Sequence, residues 1–222
     1  MDYVKARYYM VEQQIRPWDV LDPLLLEALS EIPREKFVLP HQLEFSYAEL
    51  ALSLKNGSKM LEPKLVARLI QALELDTSKS VLEIGTGSGY ATAVLARLSK
   101  QVDSWDKDEE QLRFAQRVIG ELALTNVSFQ PLDGLRAASY TKAKAEYDAI
   151  YIGGALHHVP QFLLDQLKPG GKLVAIVGLT PLMHATLYTK EASNIVEAQL
   201  FETNATYLEE EPASIKGCEF VF

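Results

Sequence analysis

The segment VLEIGTGSGY, residues 81–90, constrains the fold of this chain more than any other feature. A short apolar strand pattern, SVLEI, runs directly into a glycine-rich stretch, and a helical pattern begins at Tyr90. A glycine-rich turn between a buried strand and a helix lets the backbone approach a ligand closely and points amide groups outward. The segment therefore predicts a ligand-binding turn in a fold that alternates strands and helices.

The spacing of the glycines excludes one common ligand class. Gly85, Gly87 and Gly89 follow the pattern G-x-G-x-G, whereas a nicotinamide dinucleotide fold requires G-x-G-x-x-G or a final alanine. Tyr90 occupies the place of the third small residue, and bulk there would push the helix away from the strand. We therefore expect a different ligand at this turn.

Strand and helix patterns alternate from Pro63 onward. The series consists of a helical face over 65–73, the strand SVLEI, a helix over 90–98, a strand ending near Asp106, a helix over 109–122, the strands NVSFQ and YDAIYI, a helix over 162–167, the turn KPGG and the strand KLVAIVG. This alternation predicts an α/β, Rossmann-like doubly wound, mostly parallel sheet with helices on both faces. The segments LMHATLYTK and EAQLFETNATYL, after Gly178, predict closing strands.

The residues before this alternation predict a helical cap. Asp22 is a suitable N-cap, and Pro23 follows at the first helical position. Pro33 and Pro40 interrupt the helical pattern further along, because proline cannot continue a helix interior. We therefore expect short helices joined by turns.

An Asn-Gly pair within LKNGSKML, residues 54–61, predicts a loop or hairpin between the cap and the alternating region. On this pattern we divide the chain into two segments. Residues 1–62 form the N-terminal helical cap and its loop, and residues 63–222 form the Rossmann-like domain. We expect the two segments to pack as one structural unit.

Two acidic residues follow neighbouring strands of the predicted sheet. Asp106 comes 21 positions after Gly85, at the end of the next strand, and Asp133-Gly134 ends the third strand. The carboxyl ends of parallel strands meet in one crevice, where a carboxylate can accept both hydroxyls of a ribose. A second carboxylate across that crevice can face the exocyclic amine of an adenine. Together with the glycine turn, these residues predict a nucleoside-bearing ligand.

The same residues, with YDAIYI and LKPGGKLVAIVG, resemble class I S-adenosylmethionine-dependent methyltransferases. The segments MVEQQIRPWDVLDPLLLEAL, IPREKFV and LLDQLKPGGKLV extend the resemblance to the protein-L-isoaspartate O-methyltransferase family, over about Met10 to Gly178. The resemblance implies a Rossmann-like sheet and S-adenosylmethionine as the methyl donor. It implies as acceptor a carboxyl group on an L-isoaspartyl residue of a protein or peptide, which is a protein-repair activity.

The resemblance also assigns a set of residues to donor binding: Glu83, Gly85, Thr86, Gly87, Ser88, Asp106, Lys107, Asp133 and Gly134. The glycine turn would lie along the donor, Asp106 at its ribose, and Asp133 with Gly134 at its adenine. Glu83 would brace the glycine turn near the methionine end.

The chain departs from the family pattern in the loop that would contact the acceptor. The family reads roughly Y-x-D-x-P-L-P-I-G-x-G-Q-T-I-S-x-P, and residues 47–63 align with it without a gap as YAELALSLKNGSKMLEP. Lys59, Met60 and Leu61 thus replace Thr-Ile-Ser. The family hydroxyl at the position of Leu61 contacts the substrate carboxylate, and leucine can donate no hydrogen bond.

The predicted catalytic set is therefore Lys59, Leu61 and His157. Lys59 is the hypothetical cation for an anionic acceptor, and His157 follows the fourth strand, where one ring could approach the methyl group. Three functions stay open at this point. The first is methyl transfer to an isoaspartyl carboxyl group, the second is methyl transfer to a different acceptor, and the third is non-catalytic binding of S-adenosylmethionine.

The composition of the chain limits the kinds of binding partner and the cellular location that we expect. Lys and Arg number 22 against 30 Asp and Glu, which gives a net charge of −8 with no basic run, so we expect no nucleic-acid partner. No apolar run approaches the length of a membrane span, and the N-terminal residues lack the apolar block of a secretory signal. The lone cysteine, Cys218, allows neither an internal disulfide nor by itself a metal site. We expect a cytoplasmic protein without a metal, and no oligomeric state follows from the sequence.

Overall fold

The computed structural model describes residues 1–136, 147–192 and 194–208, and Cys218 lies outside them. The α-helices of the described residues are α1 (Tyr3–Tyr9), α2 (Pro23–Glu31), α3 (Pro63–Ala72), α4 (Tyr90–Leu98), α5 (Glu109–Glu121) and α6 (Gln161–Leu164). The strands are β1 (Ser80–Ile84), β2 (Gln101–Trp105), β3 (Val127–Gln130), β4 (Tyr147–Leu156), β5 (Leu167–Leu179), β6 (Leu182–Glu191) and β7 (Asn194–Thr203).

The seven strands of the described residues form one sheet in the order β3-β2-β1-β4-β5-β6-β7. Neighbours from β3 to β5 are parallel, and β6 and β7 join the edge antiparallel. The strand order reverses at β1, which lies between β2 and β4, so a crevice opens beyond the carboxyl ends of these strands. The predicted Rossmann-like α/β fold and its two closing strands are confirmed.

Alternate residues of β1 enter different apolar clusters on the two faces of the sheet, as the two-residue period of a strand requires. Val81 packs with buried residues of α2, α3, α4 and the N-terminal segment, whereas Leu82 and Ile84 pack with residues of α6. Helices therefore cover both faces. Because the first cluster contains residues from both sides of residue 62, the division of the chain at that point stays a prediction.

The N-terminal cap consists of short helices, as predicted. Asp22 caps α2 by accepting two backbone amides of its first turn, at 2.9 and 3.3 Å. The prolines divide the following chain into two 3₁₀ segments, Arg34–Phe37 and Pro40–Phe45. Between α1 and α2 the backbone forms a π-helical segment, Met10–Ile15, which no pattern in the sequence indicated.

The segment LKNGSKML forms a hairpin. The amide of Leu54 donates to the carbonyl of Ser58 at 2.7 Å, and the amide of Met60 donates to the carbonyl of Leu52 at 2.9 Å. Gly57 lies at the tip with φ of +86°, a left-handed conformation that glycine adopts without strain. The sequence left a loop and a hairpin open, and the structure selects the hairpin.

Two predicted elements differ from the structure. The helix expected over 162–167 is only the single turn of α6, because β5 already begins at Leu167, where it pairs with Tyr147. The KPGG segment, predicted as a turn, is instead an irregularity within β5. The next pair joins Ala149 to Lys172, so the few residues between the two pairs bulge out of register. Glycine and proline here mark a bulge rather than the end of a strand.

Residues 206–208 add a short parallel segment beside the carboxyl end of β4. The amide of Ala155 donates to the carbonyl of Thr206, and the amide of Leu208 donates to the carbonyl of Ala155, both at 3.0 Å. This pairing is possible because β1 ends at Ile84 and leaves that edge of β4 open. The chain therefore returns to the crevice after β7.

Among the residues that the structure describes, no helix has the length and apolar character needed to cross a membrane. The same residues contain no group of three or more His, Cys, Asp or Glu side chains placed to hold a metal ion.

Candidate active site

A cleft lies beyond the carboxyl ends of β1, β2 and β4, and it encloses about 970 Å³ including the part open to solvent. It is bounded by the glycine turn, the residues that follow β2 and β3, the hairpin and residues 206–208. The predicted residues that line it are Lys59, Leu61, Gly85, Thr86, Gly87, Ser88, Asp106, Lys107, Asp133 and Gly134. The strand order therefore brings the predicted donor residues and the loop residues into one cavity.

Glycine is required in the turn after β1 for conformation and for packing. Gly85, Gly87 and Gly89 have φ of +86°, +52° and +85°, values that side chains with a Cβ adopt at a cost. A Cβ on Gly89 would lie 2.8 Å from the Cβ of Ala115 in α5, so the two helices pack at a distance that only glycine allows. Tyr90 then begins α4 with its ring turned toward the cap, against Phe37.

Asp106 holds the glycine turn in addition to lining the cleft. Its Oδ2 accepts the amide of Gly87 at 3.0 Å, and its Oδ1 accepts the amide of Asp108 at 2.9 Å. Burial raises the pKa of Asp106, and these two amides act in the opposite direction. A carboxylate oxygen has a second lone pair, so each oxygen can still accept a ligand hydroxyl.

Asp133 and Gly134, which follow β3, also line the cleft. Asp133 accepts the amide of Leu135 at 3.1 Å and forms an ion pair with the exposed Arg136 at 3.0 Å. A Cβ on Gly134 would lie 2.8 Å from side-chain atoms of Ile84. Glycine at this position lets the backbone approach the end of β1.

Glu83 does not line the cleft. It is fully buried, and its Oε2 accepts hydrogen bonds from Thr92 and Ser104, each at 2.5 Å. The hydroxyl of Ser104 lies 2.6 Å from that of Thr86, so Glu83 reaches the glycine turn through one intermediate hydroxyl. Burial raises the pKa of Glu83 to about 8, although both hydroxyl donors lower it. The carboxyl group is therefore mostly protonated at neutral pH.

His157 is not among the residues that line the cleft, and the expected approach of its ring to the methyl group stays a prediction. The ring stacks on Tyr207, with 4.2 Å between centroids and 7° between planes. Tyr207 itself lines the cleft, and its hydroxyl donates to the carbonyl of Gly178 at 2.9 Å. β4 runs on to Leu156, beyond the predicted end of the strand, so His157 directly follows the fourth strand, as predicted.

The hairpin also lines the cleft, and a Cβ on Gly87 of the glycine turn would lie 3.2 Å from the side chain of its Leu54. Lys59 is exposed at its edge, whereas Met60 and Leu61 are buried, each with 7% of its surface exposed. The carbonyl of Leu61 accepts a hydrogen bond from Nη2 of Arg34 at 3.3 Å. Leu61 thus presents an apolar side chain to the cleft and its backbone to a buried cation.

Several residues around the cleft were missed in the sequence. Tyr151 lines it from β4, and Tyr207 and Leu208 line it from the returning segment. A tyrosine in the apolar strand pattern YDAIYI cannot be recognised from the sequence as a cleft residue. Residues 206–208 lie too far along the chain for local spacing to predict their position. Arg34 stands in the quoted segment IPREKFV, but its burial became visible only in the structure.

Comparison with known proteins places these residues in a family. The sequence model of the family described as protein-L-isoaspartate(D-aspartate) O-methyltransferase matches residues 7–208. The protein-L-isoaspartate O-methyltransferase of Syntrophus aciditrophicus is 35% identical over 99% of this chain and 94% of its own. The protein-L-isoaspartate O-methyltransferase 2 of Shewanella sediminis is 40% identical over 79% of this chain and 71% of its own.

Solved structures agree with this assignment. A protein-L-isoaspartate O-methyltransferase structure superposes with a TM-score of 0.76 at 26% identity, over 93% of this chain and 65% of that longer chain. A Plasmodium falciparum structure in complex with S-adenosyl-L-homocysteine also gives a TM-score of 0.76, over 94% of this chain and 99% of its own, and at 19% identity it supports the fold alone. The chain belongs to the protein-L-isoaspartate O-methyltransferase family.

Proposed function

We propose that this protein transfers a methyl group from S-adenosylmethionine to the carboxyl group of L-isoaspartyl residues in proteins or peptides. The observation that carries the proposal is that two sets of residues line one cleft: the glycine turn with Asp106 and Asp133, and the hairpin with Lys59 and Leu61. The matched family supplies the donor and the class of acceptor. Protein repair in the cytoplasm is the role we propose for this activity.

The chain's own residues fit the donor. Left-handed backbone at Gly85 and Gly87 leaves no side chain where a ligand would run along the turn. In our assignment, the turn from Gly85 to Ser88 lies along the donor, and Asp106 with Lys107 holds the ribose. Asp133 and Gly134 face the adenine.

The reaction requires that donor and acceptor be held in the correct relative position, and it requires no general acid or base. S-adenosylmethionine supplies the methyl group on a sulfonium, and a carboxylate acceptor is already ionised near neutral pH. The chain must hold the acceptor oxygen in line with the methyl carbon at roughly 3 Å and exclude water. Met60, Leu61 and Leu135 give the cleft apolar walls suited to that task. Opposite charges on donor and acceptor cancel as they react, so a dry site favours the step.

Lys59 is the residue we propose as the cation that attracts an anionic acceptor. It is exposed at the rim of the cleft, on the same hairpin as Leu61. We expect Lys59→Ala to raise KM for an isoaspartyl peptide, more strongly at low ionic strength because exposed charges are screened by salt. Lys55→Ala is the matched control, since Lys55 lies on the same hairpin and pairs with Glu110 instead. An unchanged KM in Lys59→Ala contradicts this role.

One specific observation favours a second function. The buried Leu61 stands where the family has a hydroxyl, so a methyltransferase for a different acceptor is the alternative. The decisive test has two parts. Calorimetry with S-adenosylmethionine and its demethylated product measures donor binding. Methyl transfer to an isoaspartyl peptide, compared with the aspartyl peptide of the same sequence, measures acceptor choice. Donor binding without transfer to the isoaspartyl peptide would favour the alternative.

A further inference from the structure

Arg34 carries a buried charge that lacks an anionic partner. Its side chain is 0% exposed, and among the described residues it forms no ion pair. Its Nε and Nη1 have no hydrogen-bond acceptor in the described structure, and Nη2 reaches only the carbonyl of Leu61 at 3.3 Å. Arginine stays protonated in proteins, and an unpaired buried ion is strongly unfavourable. An anion from outside the chain would resolve this arrangement.

Two tyrosines connect Arg34 to the cleft. The guanidinium lies over the ring of Tyr90 at 4.6 Å, and both Tyr90 and Tyr151 influence it electrostatically. Both residues contribute to the lining of the cleft, and both hydroxyls are buried without a hydrogen-bond partner among the described residues. Buried polar groups in native proteins are nearly always paired. The unpartnered hydroxyls of Tyr90 and Tyr151 therefore belong to residues of the cleft lining, and the guanidinium of Arg34 lies against the ring of Tyr90 and the backbone of Leu61.

The nearest charged group of the chain does not complete this site. Glu49 interacts electrostatically with Arg34 but does not lie within ion-pair distance. Its Oε1 accepts the amide of Lys64 at 3.3 Å, and its Oε2 has no partner in the described structure. Burial raises the pKa of Glu49. Because Glu49 forms no ion pair with Arg34 among the described residues, a carboxylate from a substrate can still pair with the guanidinium.

We propose that Arg34, Tyr90 and Tyr151 form the subsite that receives the acceptor carboxylate and replace the hydroxyl that Leu61 lacks. The phenols donate hydrogen bonds, and Arg34 supplies the opposite charge from behind them. This inference rests on the proposed function, because it assigns the subsite to the acceptor of that reaction. It concerns acceptor binding and leaves donor binding to the glycine turn.

Tyr151→Phe is the central test, with Tyr147→Phe as the matched control. Tyr147 lies on the same strand, and its hydroxyl donates to Asp103 at 2.8 Å, away from the cleft. The probes are an isoaspartyl peptide and its twin in which an amide replaces the free carboxyl group, each titrated into protein loaded with S-adenosyl-L-homocysteine. Wild type should bind the carboxylate peptide more tightly than its amide twin.

Tyr151→Phe should weaken binding of the carboxylate peptide by about 10- to 100-fold, the range for a hydrogen bond to a charged group. Affinity for S-adenosyl-L-homocysteine and for the amide twin should stay within about threefold, and Tm should hold or rise because an unpaired buried hydroxyl is removed. Tyr147→Phe should leave the peptide preference unchanged. Arg34→Met should abolish the preference for the carboxylate while donor affinity is retained.

The inference is overturned if wild type does not distinguish the two peptides, or if Tyr151→Phe retains the full preference. It is also overturned if Tyr151→Phe loses peptide and donor binding together with Tm, since that pattern marks a structural residue. Methyl transfer decides the proposed function separately. Wild type that prefers the carboxylate peptide but transfers no methyl group to it contradicts the proposed function and supports the subsite.

Discussion

Replacing Glu83 with glutamine should change how the stability of this protein depends on pH. Glu83 is fully buried beneath the glycine turn, and burial raises its pKa from 4.5 to about 8. Between those two pH values the unfolded chain has an ionised Glu83, whereas the folded chain keeps the proton. The unfolded state therefore binds fewer protons, and stability must fall as pH rises through this window.

The size of the effect follows from the two pKa values. A difference of one in pKa is worth about 1.4 kcal/mol, so raising the pKa of Glu83 from 4.5 to about 8 corresponds to at most about 5 kcal/mol over the whole window. Within the window the free energy of unfolding should lose up to about 1.4 kcal/mol per pH unit from this group alone. Glu83→Gln keeps the shape and lacks the titration, so it should lack this slope.

Urea unfolding of wild type and Glu83→Gln, at several pH values from about 5.5 to about 7.5, measures the slope directly. Other groups titrate equally in both proteins and cancel in the difference. The stability of Glu83→Gln relative to wild type should increase with pH, by as much as about 3 kcal/mol over this range. If the free energies of unfolding of the two proteins changed with pH in parallel, Glu83 would be ionised in the folded protein. The conclusion that a neutral carboxyl group supports the glycine turn would then be wrong.

Three further substitutions test the packing and the cleft. Gly89→Ala should lower the free energy of unfolding by about 2–5 kcal/mol through left-handed strain and the close contact with Ala115. In contrast, Gly57→Ala, with equal φ and open space, should cost only about 1–2 kcal/mol in the same denaturant assay; equal losses would refute the packing argument. Asp106→Asn should weaken S-adenosyl-L-homocysteine binding at least about tenfold by calorimetry, and retained affinity would contradict its role. Leu61→Ser should raise kcat/KM for an isoaspartyl peptide about 10-fold or more if the family position still serves the carboxylate, and no gain would show that the carboxylate is held by other residues.

Much of the fold could be predicted because local and global patterns agree. SVLEI and the helix beginning at Tyr90 have the predicted limits, since a buried parallel strand and a glycine turn leave few alternatives. The bulge at KPGG could not be predicted, because proline and glycine mark turns and strand irregularities alike. Whether β5 begins before or after that segment is decided by its pairing with Tyr147, a contact between distant parts of the chain.

In the candidate site, too, some residues could be predicted from the sequence and others could not. Asp106 and Asp133 follow strand ends, so the topology of a parallel sheet was enough to bring them to one edge. Nothing in the sequence spacing of Arg34 or Tyr151 relates these residues to that edge of the sheet. Only the packing of the N-terminal cap on the sheet shows that Arg34 lies near the cleft. His157 follows the fourth strand, as predicted, but the strand is longer than the pattern YDAIYI and the ring stacks on Tyr207.

The pairing of residues 206–208 with β4 has a consequence for how the protein is made. Leu208 packs against Gly85 and Gly154, so a segment translated long after the glycine turn completes the cavity in which the turn lies. A ribosome that has released only the first five strands exposes a half-walled groove. Because Thr206, Tyr207 and Leu208 line the cleft, the cavity gains its complete described lining only after these residues have been translated.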